Sequence, residues 1–390
     1  MHRILLMAVA LAVATAPFTA PPALAITPPP IDPGALPPDV TGPDQPTEQR
    51  VQCSGPTVLP DSTFHDPPWS NSYIGVAEAH KFATGAGVTV AVIDTGVNAS
   101  PRVPAEPGGD FVDQAGNGLS DCDAHGTLTA AIIGGRPAPT DGYVGVAPDA
   151  RLLSLRQTSE AFEPVGAQSN PNDPNSTPAA GSIRSLARAV VHAANPGDPR
   201  GWNKVQTIVT PAWYGDSVIT VGGIGQGGVP STFSMHGPWV NVAAPAENIE
   251  SLGDRGDPVN ALQGKEGPVP IAGTSFAAAY VSGIAALVRQ RFPELTPVQV
   301  MQRIEATARH PGGGVDDLVG SGVVNALAAL TWDIAPGRAT IPYDVRRMPP
   351  PVMAPAPDRV PITVVTLAIA GLLVALGFGS LAARALRRRR

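Results

Sequence analysis

Short apolar runs alternate with helical stretches through the middle of the chain. Residues 88–93 (VTVAVI) are almost continuously apolar, as are strands that are buried on both faces of a parallel sheet. Residues 151–155 and 218–221 are two further strand candidates. Because strands that alternate with helices form βαβ units, this pattern predicts an α/β domain whose central sheet is mostly parallel.

Three segments have helical periodicity. Ser182–Ala194 begins with a serine that can cap the helix. Ser275–Phe292 is apolar on nearly all sides as far as Arg289, which predicts a buried helix. Thr296–Ala308 is apolar on one face only and predicts an amphipathic helix.

The two ends of the chain have the patterns of targeting segments. Residues 1–25 combine Arg3, an apolar run and a final Ala-Leu-Ala, which together predict a secretory signal peptide. The alternative is a buried N-terminal helix, but three prolines oppose it.

Residues 362–383 contain no charge over 22 positions, which is long enough to cross a bilayer. The alternative there is a buried core helix, which rarely runs so long without a charge.

Pro-rich segments separate these ends from the α/β region. The basic tail beyond the apolar segment predicts, by the positive-inside rule, that residues 26–361 lie outside the cytoplasm. The predicted division is a signal peptide at 1–25, a Pro-rich N-terminal extension at 26–60, the α/β domain at 61–336, a Pro-rich linker at 337–361, a transmembrane helix at 362–383 and a basic cytoplasmic tail at 384–390.

Composition narrows the function classes. The chain has 390 residues, 43% of them hydrophobic, so it can bury a sizeable core, while its 42 Gly and 45 Pro exclude a coiled coil. The net charge of −6 argues against a nucleic-acid partner. An exported domain permits disulfides. The two cysteines, Cys53 and Cys122, form one bridge or remain free thiols, and free thiols are poorly tolerated outside the cell.

Two motifs place polar side chains at element ends. Asp94 follows the strand candidate in Val92-Ile93-Asp94-Thr95-Gly96, at the sheet edge where α/β folds bind ligands. Alone, this sequence could be an ordinary turn. His125, followed by Gly126, Thr127 and small residues, is typical of a helix start with an imidazole at the N-terminal end. Alone, this could be a capping or core histidine.

A third motif, Gly273-Thr274-Ser275, begins the buried helix. Gly273 allows close approach of a substrate, and the Ser275 backbone N–H and the helix dipole would face a developing oxyanion. The alternative is a plain serine N-cap. Asp, His and Ser are together the three groups of acyl-transfer catalysis. No Gly-x-Ser-x-Gly elbow surrounds Ser275, which disfavours an esterase or lipase.

The order Asp94, His125, Ser275 is that of subtilisin. The flanking sequences resemble the subtilisin-like serine proteases (subtilases) at all three motifs. Within them the layout, from signal to basic tail, resembles the mycosins, the membrane-anchored proteases of type VII secretion systems. The resemblance implies a subtilisin-like three-layer fold and a serine endopeptidase. Ser275 is then the nucleophile, His125 the general base and Asp94 the orienting carboxylate.

The resemblance also implies partners and a covalent link. They are a polypeptide substrate, the type VII secretion membrane complex and the membrane itself. The N-terminal extension would wrap the protease domain and be held by a Cys53–Cys122 disulfide. No cofactor is implied. Some subtilases bind calcium, but no acidic cluster here has loop-like spacing. The nearest to one is the set Asp110, Asp113, Asp121 and Asp123.

The chain departs from the subtilase pattern after the helix at 182–194. Subtilases have two more strands before the region of Thr207–Thr210, one lining the specificity pocket and one ending in an Asn whose side chain donates to the oxyanion. We find neither, which predicts an internal deletion of several tens of residues and a sheet without two strands. Asn195 and Asn203 are weak substitutes for the donor. The alternative function is therefore a catalytically impaired family member that acts as a structural component of the secretion complex.

Overall fold

The computed structural model describes residues 37–167, 180–194, 217–237, 239–312 and 314–334. The predicted signal peptide, transmembrane helix and basic tail lie outside these residues, as do Asn195 and Asn203. No helix in the described ranges is long and apolar enough to cross a membrane. The strands are β1 Thr47–Gln49, β2 Pro56–Thr57, β3 Thr89–Asp94, β4 Ala105–Asp110, β5 Arg151–Arg156, β6 Phe162–Pro164, β7 Val221–Ile224, β8 Val242–Pro245, β9 Ser251–Leu252, β10 Pro258–Val259, β11 Ala261–Gly264 and β12 Gly267–Pro270.

The helices follow the predicted segments closely. The helix predicted at 182–194 has its serine cap, because Ser182 Oγ accepts the Ser185 N–H at 3.0 Å. The amphipathic helix begins with a capping box between Thr296 and Gln299. The helices are α1 Trp69–Ile74, α2 Val76–Ala79, α3 His125–Gly134, α4 Ile183–Ala194, α5 Thr274–Arg291, α6 Pro297–Ala306 and α7 Ala326–Thr331.

Within the described ranges, the parallel strands form two separate sheets. One has the order β3-β5-β4 and the other pairs β7 with β8. In the described ranges, β3 and β7 are each bordered by one strand only. Val90, Ala91 and Ile93 of β3 are therefore only half-buried, although their apolar sequence predicts full burial. The segment in which two central strands are predicted to be missing, after residue 194, lies outside the described residues.

Helices cover both faces of the larger sheet. Val92 and Leu152 pack in the main core with α3 and α5, whereas Leu155 packs with Phe111 and Ala189 of α4 on the opposite face. Successive strand residues point to opposite faces, so the continuous apolar pattern fills both layers. The three-layer α/β arrangement is confirmed. One strand prediction is wrong by three residues: β7 begins at Val221, whereas we placed a strand at 218–221.

The N-terminal extension is attached to the domain at several points. β1 pairs with β6, and β2 pairs with β11. The Arg188 guanidinium on α4 donates to Gly42 O and to the Asp44 carboxylate, both at 2.9 Å. Cys53 and Cys122 form a disulfide, which confirms their pairing. The extension is thus held by strand pairing, an ion pair and a covalent bond.

Candidate active site

Asp94 ends β3 at the carboxyl edge of the sheet. Its Oδ1 accepts the Thr95 N–H at 2.7 Å and faces His125 Nδ1 at 2.7 Å. The Thr129 hydroxyl lies 3.2 Å from Oδ2. Asp94 therefore lies where the sequence predicts it, and Thr95 and Thr129 orient its carboxylate toward the imidazole.

His125 is the first residue of α3. Its Nε2 lies 2.7 Å from Ser275 Oγ, and its ring stacks at a tilt against Phe276 with centroids 5.0 Å apart. The side chain is 32% exposed, so a substrate can reach it. The residue before it, Ala124, has a left-handed backbone with φ 63°, a conformation that is costly outside glycine and occurs at functional sites.

Opposing effects set the pKa of His125. Burial alone would lower the pKa, but the hydrogen bond to Asp94 and the negative charges of Asp94, Asp121 and Asp123 raise it above the ordinary histidine value. The ring can therefore take up a proton more readily than an ordinary histidine. That is the property required of a base that must become an imidazolium during the reaction.

Ser275 is the second residue of the 18-residue helix α5. Among the described residues, no hydrogen bond uses its backbone N–H. As an N–H of the first turn of α5, it lies at the positive end of the helix dipole. A Cβ on Gly273 would come 3.3 Å from Ser275 Oγ. The absence of a side chain on Gly273 thus keeps the hydroxyl accessible. Thr274, between Gly273 and Ser275, is the first residue of the helix.

Close backbone packing brings the first two motifs together. A Cβ on Gly126 would lie 2.0 Å from Gly96 O, so the helix start touches the turn after β3. Thr127, the third residue of the motif that begins with His125, donates two hydrogen bonds to the Asp121 carboxylate. The role of these two residues is to set the spacing between the segments that carry Asp94 and His125.

The acidic residues considered for calcium are engaged elsewhere. Asp110 accepts from Val112 N and Asp113 N and faces Arg156 at 3.6 Å. Asp123 accepts from the Ser159 hydroxyl and Glu160 N. The described ranges contain no group of three His, Cys, Asp or Glu side chains that could hold a metal ion.

Sequence reasoning missed the structural role of Asp121. Considered there only as an acidic loop residue, it receives hydrogen bonds from Thr95 and from Thr127. A signal was present, because Asp121 lies four residues before the helix start at His125, whose preceding residue Ala124 cannot cap a helix. The partner Thr95, however, is remote in the sequence, so only the fold shows the contact.

Together, the three side chains form a hydrogen-bonded chain from carboxylate to imidazole to hydroxyl, with both heavy-atom separations at 2.7 Å. With Nδ1–H donated to Asp94, Nε2 is free to accept the serine proton. Such a chain can activate a hydroxyl as a nucleophile for acyl transfer.

Comparison with known proteins agrees with this geometry. A family model described as the subtilase family matches residues 85–169 and 165–322. Mycosin-1 of Mycobacterium tuberculosis (strain ATCC 25618 / H37Rv) is 70% identical, with 100% of each chain covered. Their alignment runs over 450 positions against the 390 residues of this chain, so at least 60 positions have no counterpart here. A shortfall of that size matches the predicted internal deletion.

Solved structures show the same likeness. The crystal structure of MycP1 from Mycobacterium smegmatis matches with a TM-score of 0.72 at 60% identity, over 79% of this chain and 96% of that one. A chain in the structure of an intact ESX-5 inner membrane complex matches with a TM-score of 0.70 at 37% identity, over 92% of this chain and 100% of that one. The chain therefore belongs to the subtilase family of serine proteases and, within it, to the mycosins.

Proposed function

We propose that the chain hydrolyses peptide bonds with Ser275 as nucleophile, His125 as general base and acid, and Asp94 as the carboxylate that orients the imidazole. The observation that carries the proposal is the hydrogen-bonded chain of these three side chains, with 2.7 Å at each step. That distance lies within the reach that proton transfer requires.

The reaction uses these groups in sequence. As Ser275 Oγ forms a bond to the substrate carbonyl carbon, its proton moves to His125 Nε2, and the carbonyl π electrons move onto oxygen. Collapse of this intermediate breaks the C–N bond, and the leaving amine takes the proton from Nε2. A water molecule then repeats both steps on the acyl-enzyme. Asp94 stabilises the imidazolium through Nδ1–H throughout.

The negative charge on the substrate oxygen needs donors. The Ser275 N–H, at the positive end of α5, is one. In subtilases a second donor is an Asn side chain, and the weak substitutes that we propose are Asn195 and Asn203. Loss of one such donor lowers the rate by about 10²–10³. A chain that lacks it is thus a slow enzyme and still a catalyst.

We also propose where the protein acts. A signal peptide at 1–25 would direct export, and a transmembrane helix at 362–383 would anchor the domain on the outer side of the cell membrane, with residues 384–390 in the cytoplasm. The similarity to a chain of the ESX-5 inner membrane complex supports association with a type VII secretion membrane complex. The substrate is then an exported polypeptide.

One observation favours a second candidate function. The alignment with Mycosin-1 runs over 450 positions, so at least 60 of them have no counterpart among the 390 residues of this chain. A subtilase without the substrate-pairing strand could remain in the complex as a structural component. The hydrogen-bonded chain would then be retained without efficient cleavage.

Labelling with a fluorophosphonate probe tests these proposals. The full-length protein in mild detergent is exposed to the probe, with Ser275→Ala as the matched control. Covalent labelling of the wild-type protein alone supports the protease. If a folded wild-type protein is not labelled but still copurifies with the secretion membrane proteins, the structural function replaces it.

A further inference from the structure

A buried carboxylate that the proposed reaction does not use lies close to His125. Asp121 is 6% exposed. Its Oδ1 accepts from the Thr95 hydroxyl at 2.8 Å and from Asp123 N at 3.1 Å. Its Oδ2 accepts from the Thr127 N–H at 2.8 Å and from the Thr127 hydroxyl at 2.7 Å. These donors fill the acceptor capacity of an ionised carboxylate.

The two threonine hydroxyls extend these contacts to the backbone. The Thr95 hydroxyl accepts the Gly126 N–H at 2.8 Å, and the Thr127 hydroxyl accepts the Asn98 N–H at 3.0 Å. Thr95 and Asn98 follow β3, whereas Gly126 and Thr127 belong to the first turn of α3. The Asp121 carboxylate therefore joins the turn that follows Asp94 to the helix that begins with His125.

The helix has no cap of its own. Its N-cap residue, Ala124, has no side-chain acceptor, yet the first N–H groups of a helix need partners. Asp121 supplies one to Thr127, and Thr95 supplies one to Gly126. A carboxylate at this end also faces the positive end of the helix dipole. Asp121 thus replaces the missing cap from outside the helix.

The loop that carries Asp121 is itself anchored. Its neighbour Cys122 is bonded to Cys53 of the N-terminal extension. The Ser54 N–H donates to Cys122 O at 3.1 Å. The carboxylate therefore stands on a loop whose next residue is fixed to the N-terminal extension by a covalent bond and a hydrogen bond.

We propose that Asp121 is a positioning residue, whose carboxylate holds the turn carrying Asp94 and the helix carrying His125 at the separation that their 2.7 Å hydrogen bond requires. The inference rests on the proposed function for its catalytic meaning. The hydrogen bond itself can be measured without catalysis, so the two can fail separately.

The charges around the imidazole give a second readout. Asp94, Asp121 and Asp123 are the charged groups that raise the pKa of His125, against the effect of its burial. Ser275 and Phe276 are its neutral neighbours. Loss of the Asp121 charge should lower this pKa. Loss of the Asp123 charge should do so too, but Asp123 does not join the two segments.

The test is proton and carbon NMR of the full-length protein in detergent, labelled at histidine and assigned with His125→Ala. An imidazole Nδ1–H held by a carboxylate has a far-downfield proton resonance. The variant is Asp121→Asn, and Asp123→Asn is the matched control. Whichever way the introduced amide faces in Asp121→Asn, its NH₂ group meets a backbone N–H, that of Asp123 or that of Thr127. At least one hydrogen bond of the carboxylate therefore becomes a donor–donor contact, which weakens the cross-link.

We expect Asp121→Asn to lose the downfield resonance and to lower the His125 pKa, while Asp123→Asn lowers the pKa and keeps the resonance. Probe labelling at Ser275 should slow by about 10- to 100-fold in Asp121→Asn, since a 1 Å misplacement can cost about 10² in rate. If Asp121→Asn does not fold, Thr95→Val removes the same link more gently and should lose the resonance.

Retention of the resonance in Asp121→Asn, or in Thr95→Val where the first does not fold, overturns the proposal. Equal loss of the resonance in Asp123→Asn also overturns the proposal, because the removed charge, and not the separation of the two segments, would then be the cause. Absence of the resonance from the wild-type protein overturns it as well. A wild-type protein that shows the resonance but is not labelled contradicts the protease proposal alone.

Discussion

The contact between Gly126 and Gly96 leaves no room for a side chain. A Cβ at position 126 would lie 2.0 Å from Gly96 O and 3.1 Å from Gly96 C and N, whereas real Cβ atoms essentially never approach within 3.0 Å. All three contacted atoms are backbone, so they cannot rotate away. Gly126→Ala must therefore move the start of α3 and the turn after β3 apart by about 1 Å.

That displacement acts on catalysis through His125. A movement of about 1 Å lengthens the 2.7 Å contact between Nδ1 and Asp94 Oδ1 beyond hydrogen-bonding distance. Misplacement on this scale can lower the rate by about 10². Overpacking of this kind also destabilises a fold by about 1–3 kcal/mol, which corresponds to about 2–4 °C in Tm per kcal/mol for a large domain.

The assay compares probe labelling and thermal unfolding of wild-type protein, Gly126→Ala and Gly312→Ala. Gly312 is the matched control, because a Cβ there would have no atom within 4 Å. We expect slower labelling and a lower Tm for Gly126→Ala, whereas Gly312→Ala should match the wild-type protein in both. If Gly126→Ala labelled at the wild-type rate with an unchanged Tm, the argument from close packing would be wrong.

Four further predictions concern pH, stability and the extension. Because the pKa of His125 is raised and the neutral imidazole is the base, labelling should increase with pH through a midpoint above that of an ordinary histidine, and a midpoint at or below it would contradict the charge argument. The predicted loss of two strands should give this chain a lower Tm than that of Mycosin-1 under the same conditions. An equal Tm would contradict the argument that this loss destabilises the fold. Replacing Cys53 and Cys122 by Ser should lower the free energy of unfolding by about 4 kcal/mol, since the bridge spans 69 positions, and no change in denaturant midpoint would contradict this. Arg188→Ala should loosen the extension around Gly42 and Asp44, although the strand pairs and the disulfide still hold the rest of it. Limited proteolysis within residues 37–50 should then be faster than in the wild-type protein, and an equal rate would contradict this role of Arg188.

Local pattern alone was sufficient for many elements. The apolar run at 88–93 became β3, and the apolar segment from Ser275 became α5, because side-chain periodicity and capping act within a few residues. The same local signals placed Asp94 at a strand end and His125 at a helix start. The motif order and the flanking residues then identified the family.

The sequence also indicated what is missing. The absence of recognisable strands after residues 182–194 predicts a shortened sheet, and the alignment with Mycosin-1, which is 60 positions longer than this chain, agrees in size with a deletion. The prediction for β7 starts three residues too early, because residues 218–221 are as apolar as a strand. Only hydrogen bonds to β8 decide where pairing begins.

Contacts between distant residues were decided by the tertiary structure. No pattern indicated that Asp121 joins Thr95 to Thr127, or that Arg188 holds Gly42 and Asp44 of the extension. Each contact links segments that are separate in the sequence, and its geometry depends on how helices and strands pack. The sequence by itself thus determined which groups could react and which segments form β3, α4, α5 and α6. The packing of the fold set the 2.7 Å distances that bring Asp94, His125 and Ser275 together.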